Sequence, residues 1–216
     1  MRNYADIPFA PRKLPFFYGW LLLAFGTLGT VASIPGQTMG VSVFTDYLID
    51  ALGLSREGLS MAYMVGTITS SFILPFGGKW IDRLGARVVM VFVTMALGVS
   101  LCALGVSDRL LGAATTVFGE GSALAAAAVI GFLVFLAIRF FGQGMVAMVP
   151  RVMIGKWFKH RRGLAAGISG VVVSGGFAIS PKILDTLINA YGWRTACFIL
   201  AGTVSLGMGS LALIFY

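Results

Sequence analysis

One arginine, Arg139, stands in the middle of a stretch, residues 123–150, that carries no other charged side chain. If such a stretch crosses a bilayer, a lipid-facing cation near its centre costs about 2.5 kcal/mol or more, so Arg139 should face the interior of a helix bundle. There a guanidinium can do one of two things. It can hold a carboxylate or another oxyanion, or it can satisfy carbonyls of a broken neighbouring helix. Gln37 is the nearest polar candidate in the first apolar stretch. Lys182 offers a third polar group, either as an attractor of anions or neutralised by Asp185 three residues on. Near the other end of the map lies Gly78-Lys79-Trp80-Ile81-Asp82-Arg83-Leu84-Gly85-Ala86-Arg87, where one fixed anion is flanked by cations and glycines suit a tight reversal. This is the chemistry of charge recognition. No Gly-x-Ser-x-Gly, His-Glu-x-x-His or phosphate-binding loop is present, so no residue is assigned a catalytic role. His160 stands in a basic run, and Cys102 and Cys197 fall inside apolar stretches without ligand-like spacing, so neither a metal nor a cofactor is implied.

The elements that must position these groups are membrane helices. Of 216 residues 58% are hydrophobic and 11% charged, and the mean hydropathy is +0.92, outside the range of a soluble domain. Six apolar stretches lie at about 17–45, 58–77, 87–106, 123–150, 164–188 and 194–216. They leave no room for a soluble domain. The net charge of +8 is distributed as membrane topology rather than as a nucleic-acid surface. With the N-terminus inside, the inner segments hold Arg2, Arg12, Lys13, Lys79, Arg83, Arg87, Arg151, Lys156, Lys159, Arg161 and Arg162 against Asp6 and Asp82. The outer segments hold three arginines against five acids, which satisfies the positive-inside rule. The first stretch is longer than a signal-peptide core and lacks a cleavage site, so it reads as a retained helix after a cytoplasmic segment, 1–16.

A shift of 107 residues lays the first three stretches onto the last three and carries Leu84-Gly85-Ala86-Arg87 onto Tyr191-Gly192-Trp193-Arg194. The fold expected is all-α, with six transmembrane helices as 3+3 inverted repeats over residues 17–216. Gly36 with Gly40, Gly142 with Gly144, and Gly163 with Gly167 are expected to let helix backbones approach. Pro35-Gly36 and Pro181 should weaken their helices locally.

The 78–87 segment resembles the signature of the major facilitator superfamily, Gly-x-x-x-Asp-Arg-x-Gly-x-Arg, and Arg139-Phe140-Phe141-Gly142-Gln143-Gly144 resembles the second signature of that family. The resemblance implies that Gly78, Asp82, Arg83, Gly85 and Arg87 belong to a cytoplasmic gate, with Asp82 meeting a helix N-terminus of a second half. The run Lys156-Trp157-Phe158-Lys159-His160-Arg161-Arg162-Gly163 is similar to the monocarboxylate and oxalate/formate transporter group, as are Phe16-Phe17-Tyr18-Gly19-Trp20 and the stretch from Gly36 to Asp46. Two departures from the eukaryotic carriers are plain: no acidic-Gly pair precedes Trp20, and no lysine stands in the first span. By this resemblance the chain is a half or fragment of a secondary active transporter in a bacterial cytoplasmic membrane. It would move a small organic anion such as a monocarboxylate by alternating access, with protons as a coupling ion or by exchange. The implied partners are the lipid bilayer and a second six-helix half, either a missing C-terminal half or another chain; nucleic acid is not among them. The apolar faces of the second and fifth helices should then be left uncovered. A non-transporting membrane interaction subunit is the alternative, and an intramembrane enzyme is more remote.

Overall fold

The computed structural model describes residues 17–216, so the segment read as a cytoplasmic N-terminus lies outside the described residues. Six helical spans are long and apolar enough to cross a bilayer: Gly19–Ser42, Arg56–Leu84, Ala86–Gly105, Glu120–Trp157, Arg162–Tyr191 and Trp193–Phe215. Helices are the expected solution, because in hydrocarbon every backbone N–H and C=O must find its partner within the segment. The chain is an integral membrane protein. Short helices Thr45–Leu52 and Ser107–Phe118 lie beside each other at one end of the bundle.

The second and fifth spans run further than hydropathy suggests, and for one reason. Polar residues mark where the bilayer ends, not where the helix ends. Lys79, Asp82 and Arg83, expected in a loop, ride on the last turns of the second span, and Gly78 is an ordinary helical residue. The reversal is made by Gly85 alone, at φ 84° and ψ 157°, with its N–H bonded to the carbonyl of Ile81. Only glycine adopts that conformation readily. At the position 107 residues later Gly192 repeats it, at φ 80° and ψ 153°, with its N–H on Ile188. Three spans separate the two turns, so they sit on opposite faces of the membrane. The inverted repeats therefore match in backbone conformation as well as in the four-residue echo, although Gly119 ends the helix Ser107–Phe118 with the same turn at φ 84° and ψ 156°. We expect Gly85→Ala and Gly192→Ala each to cost about 1–3 kcal/mol, whereas Gly78→Ala, which meets nothing within 4 Å, should be neutral or slightly stabilising. Thermal unfolding in detergent distinguishes them; equal effects at positions 78 and 85 would remove the special role of the turn.

The third span is the centre of the bundle. Its Val89, Met90, Val93, Leu97 and Leu101 are all but inaccessible and meet the middle of the fourth span and the sixth. The second span lies along the fourth, and the first lies against the later half of the fourth and against the fifth. At the end away from Gly85, Arg194 donates to Asp108 at 2.7 Å and ties the start of the sixth span to the helix Ser107–Phe118. That hydrogen bond holds the Asp108 carboxyl below its ordinary range.

The first and fourth spans, which are repeat partners, are both irregular, and the sixth also widens into π-helix at Thr203–Met208. In the first, Pro35 supplies no N–H, the helix tightens to a 3₁₀ turn at Ile34–Gly36, and it restarts at Thr38. In the fourth, Ile138–Val146 widens into π-helix. The 107-residue shift carries 31–39 onto this segment. The two irregular segments touch: a Cβ on Gly36 would sit 2.5 Å from the Cα of Gly142, and one on Gly142 would sit 2.7 Å from the Cα of Gly36. Gly36 thus pairs across the bundle with Gly142, while Gly40 packs against the carbonyl of Ile34 in its own span and Gly144 against Leu74. By contrast, a Cβ on Gly163 or Gly167 would face open space, with no packing neighbour within 4 Å among the described residues.

Only 11% of the most apolar stretch of the fifth span and 22% of that of the second are covered. Met61, Met64, Ile68, Phe72 and Phe76 form an exposed stripe at helical spacing on the second span, and Leu164, Ile168, Val171, Ile179 and Ile183 form another on the fifth.

Candidate functional site

The broken first span creates the site. In an unbroken helix the carbonyl of Gly36 would accept from the N–H of Gly40, but that N–H turns to the carbonyl of Gln37 at 3.0 Å. Gly36 is left with a carbonyl pointing into the bundle. Arg139, second residue of the π-helical segment, reaches it with Nη1 at 3.2 Å and approaches the Thr38 hydroxyl at 3.4 Å. Its guanidinium carbon lies 5.1 Å from the ring centre of Tyr63 on the second span, close enough for a cation–π contact. Tyr63 and Thr38 share a hydroxyl–hydroxyl hydrogen bond of 3.0 Å. Phe135 braces the Tyr63 ring edge to face.

Arg139 is 6% exposed, and no carboxylate compensates it: the ion pairs among the described residues are Arg56–Asp46, Lys156–Asp82 and Arg194–Asp108. A buried cation held by one carbonyl, one hydroxyl and a ring face is under-neutralised. Its Nε has no hydrogen-bond partner, and the nearby Oε1 of Gln143 has none either. Beside Thr38 and Tyr63, the contacts of Arg139, a cavity of about 150 Å³ opens, lined by these two residues, Ser42, Thr45 and Ser60 together with Val41, Leu59 and Phe135. A cavity whose wall mixes hydroxyl-bearing and apolar residues, and which shares Thr38 and Tyr63 with an unneutralised guanidinium, suits a small anion with a carbon skeleton. It contains no nucleophile–base pair.

Of the three residues singled out from the sequence as polar contacts, only Arg139 is in this group. Gln37 lies between Gly36 and Thr38 but turns its amide to Ser33, at 2.9 Å. Lys182 is exposed on the fifth span, with no contact to Arg139. Its pairing with Asp185 is not formed, since Asp185 accepts from Asn189 at 3.2 Å one turn along the helix. Tyr63 and Thr38 went unassigned from sequence. The available signal was a tyrosine hydroxyl inside an apolar span, which must find a partner.

Asp82 lies at the other end of the second span. It accepts from Lys156 Nζ at 3.1 Å, linking the ends of the second and fourth spans, and both side chains are largely exposed. Lys79 lies over the Phe76 ring at 5.2 Å, Arg83 is exposed on the final turn, and Arg87 is half-buried at the start of the third span. In sequence Lys156 belongs to a basic run 74 residues from Asp82, and only the packing of the second and fourth spans brings the two together. An exposed pair of this kind is worth about 0–1 kcal/mol, so its interest is positional.

A family model for the Major Facilitator Superfamily matches residues 26–216. Monocarboxylate transporter 14 of Mus musculus is 36% identical over 77 residues, which is 36% of this chain and 15% of that protein; the Homo sapiens protein is 35% identical over the same length. The "Probable sulfoacetate transporter SauU" of Cupriavidus necator is 25% identical over 182 residues, 82% of this chain and 37% of that protein. The chain spans less than half the length of these relatives. No solved structure matches it. A model match across all six spans, on a bundle of six membrane helices with a shared turn in its two halves, establishes that the chain belongs to the major facilitator superfamily.

Proposed function

We propose that the chain is the N-terminal six-helix half of a secondary active transporter that moves a small organic anion, a carboxylate or a sulfonate, by alternating access, and that it is not an enzyme. The observation that carries this reading is Arg139: a buried guanidinium, no carboxylate beside it, an unpartnered Nε, and a cavity of hydroxyl-bearing and apolar residues adjoining its contacts. The relatives are named for monocarboxylate and sulfoacetate transport, and both substrate classes present an oxyanion head on a small carbon skeleton. Secondary transporters of this kind bind substrate near the bilayer midplane. The uncovered stripes of the second and fifth spans, including open Gly163 and Gly167, support a second six-helix half as partner. Charge distribution supports a cytoplasmic N-terminus and a cytoplasmic location for Asp82, and a bacterial cytoplasmic membrane is the setting we infer. Lys182 then faces the outside, as an attractor of anions.

Ligand stabilisation tests the reading. In the transporter assembled with its second half, small carboxylates and sulfonates should raise the melting temperature in a saturable way while matched amides do not. Tyr63→Phe should weaken that effect about tenfold, because it removes the hydroxyl that orients Thr38. Equal stabilisation by acid and amide would contradict an anion site.

Asp82 serves in this account as a gate charge. Asp82→Asn should leave thermal stability within about 0.5 kcal/mol, since its present partner is an exposed lysine, yet shift the resting population toward the inward-open form. Cysteine labelling of the inner vestibule reads that shift. Unchanged labelling would remove Asp82 from the gate.

A further inference from the structure

A second cationic cavity lies between the first, fourth and fifth spans, toward the face that carries Asp82. It has a volume of about 310 Å³, and its wall includes Thr30, Arg151, Ile154, Arg162 and Ser169. Two arginines from different spans therefore line one hollow. Neither side chain has a hydrogen bond or an ion pair to any described residue. The nearby acid supply is spent: on this face the described sequence offers only Asp82, and Lys156 holds it. The hydroxyls of Ser169, bonded to Thr27 at 2.9 Å, and of Thr30, donating to the Gly26 carbonyl at 3.1 Å, belong to residues of the same wall, which is otherwise mainly apolar. Two cations that line one hollow without a counter-ion repel each other, and an anion placed between them relieves that repulsion.

Position gives the cavity its meaning. Thr30 is six residues before Gly36 on the first span, so by helical rise the cavity lies about 9 Å from the Arg139 contacts along that span. Arg151 extends the same series down the fourth span, 12 residues beyond Arg139. Two guanidinium sites thus follow one another along the same pair of helices, one buried and one open.

We propose that Arg151 and Arg162, with Ser169, form an inner anion site where the transported carboxylate or sulfonate rests between the Arg139 site and the cytoplasm. This inference depends on the transport function proposed above. Each guanidinium offers a planar fork suited to an oxyanion, and the apolar part of the wall accepts a short carbon skeleton.

The test uses the complete transporter in proteoliposomes of sorted orientation, with a labelled carboxylate or sulfonate that the wild type carries. Arg151→Gln with Arg162→Gln should raise KM for substrate presented at the cytoplasmic face about tenfold, the loss of charge-assisted hydrogen bonds, with KM at the outer face and the melting temperature near wild type. Arg151→Lys with Arg162→Lys should recover part of the effect. KM unchanged at the cytoplasmic face, or raised equally at both faces, overturns the inner site; the second result assigns the arginines to contacts with the other half. Removing anionic lipid from the vesicles separates a headgroup from the substrate: if the difference between variant and wild type vanishes without it, the occupant is lipid phosphate and the proposal fails. A wild type that carries neither a carboxylate nor a sulfonate overturns the transport reading and this one with it, whereas a transporting wild type with indifferent variants overturns this one alone.

Discussion

Arg139→Leu will abolish transport, and Arg139→Lys will reduce it at least tenfold, while both variants insert into the membrane normally. Insertion survives because replacing a central cation with leucine removes a cost. Transport does not survive, because leucine offers no donor and lysine replaces a planar fork with a mobile point charge. The geometry adds a consequence that the sequence could not supply. Arg139 also holds the carbonyl of Gly36 in the broken first span, so Arg139→Leu leaves that acceptor without its donor at a cost of about 1–3 kcal/mol. Lysine at this position can still reach the carbonyl. The two variants should therefore differ in unliganded stability by more than they differ in ligand-induced stabilisation, which both lose. Thermal unfolding with and without a carboxylate measures the two quantities separately. An Arg139→Leu protein with normal uptake would remove the residue from the mechanism.

The second large effect is expected at the crossing of the first and fourth spans. Gly36→Val or Gly142→Val should prevent the bundle from closing, since the neighbouring atoms are backbone and cannot rotate aside. A Cβ at 2.5–2.7 Å from a facing Cα requires the two spans to separate, at a cost of about 3 kcal/mol or more. Detergent-solubilised protein should then elute as aggregate. The matched controls are Gly163→Ala and Gly167→Ala, which fill open space in this chain and should leave the six-helix bundle folded. If they instead impair activity of the complete transporter, the surface they disturb lies between halves. A well-folded Gly36→Val protein would show that the close crossing is not required.

These two sites illustrate what the sequence could and could not reveal. The six spans were legible because hydrocarbon demands long apolar helices, and the Gly85 and Gly192 turns were legible because one backbone conformation excludes other residues. Arg139 stood out through its cost in an apolar stretch. Its partners did not, because the orientation of the Gly36 carbonyl follows from where the first helix breaks and restarts. Nothing in residue type marks Ile138–Val146 as π-helix, so the approach of Gly142 to Gly36 could not be read from either span alone. Polarity marks 78–84 as loop, yet the helix continues to Leu84, because charged side chains end the apolar stretch without breaking the backbone hydrogen bonds. Four-residue glycine spacing identifies backbone that can approach, while the fold decides where the neighbour is: Gly36 meets Gly142 within this chain, and Gly163 and Gly167 face open space in it.

The central claim is that this half carries a site for an anion, and uptake of one matched pair of solutes tests it most directly. Proteoliposomes containing the complete transporter should accumulate a labelled small carboxylate or sulfonate saturably, with the uncharged amide of the same skeleton neither taken up nor competing. The Arg139→Leu protein, inserted at equal density, should take up neither. Uptake of the amide at the rate of the acid, or retention of acid uptake without the guanidinium, would contradict the account.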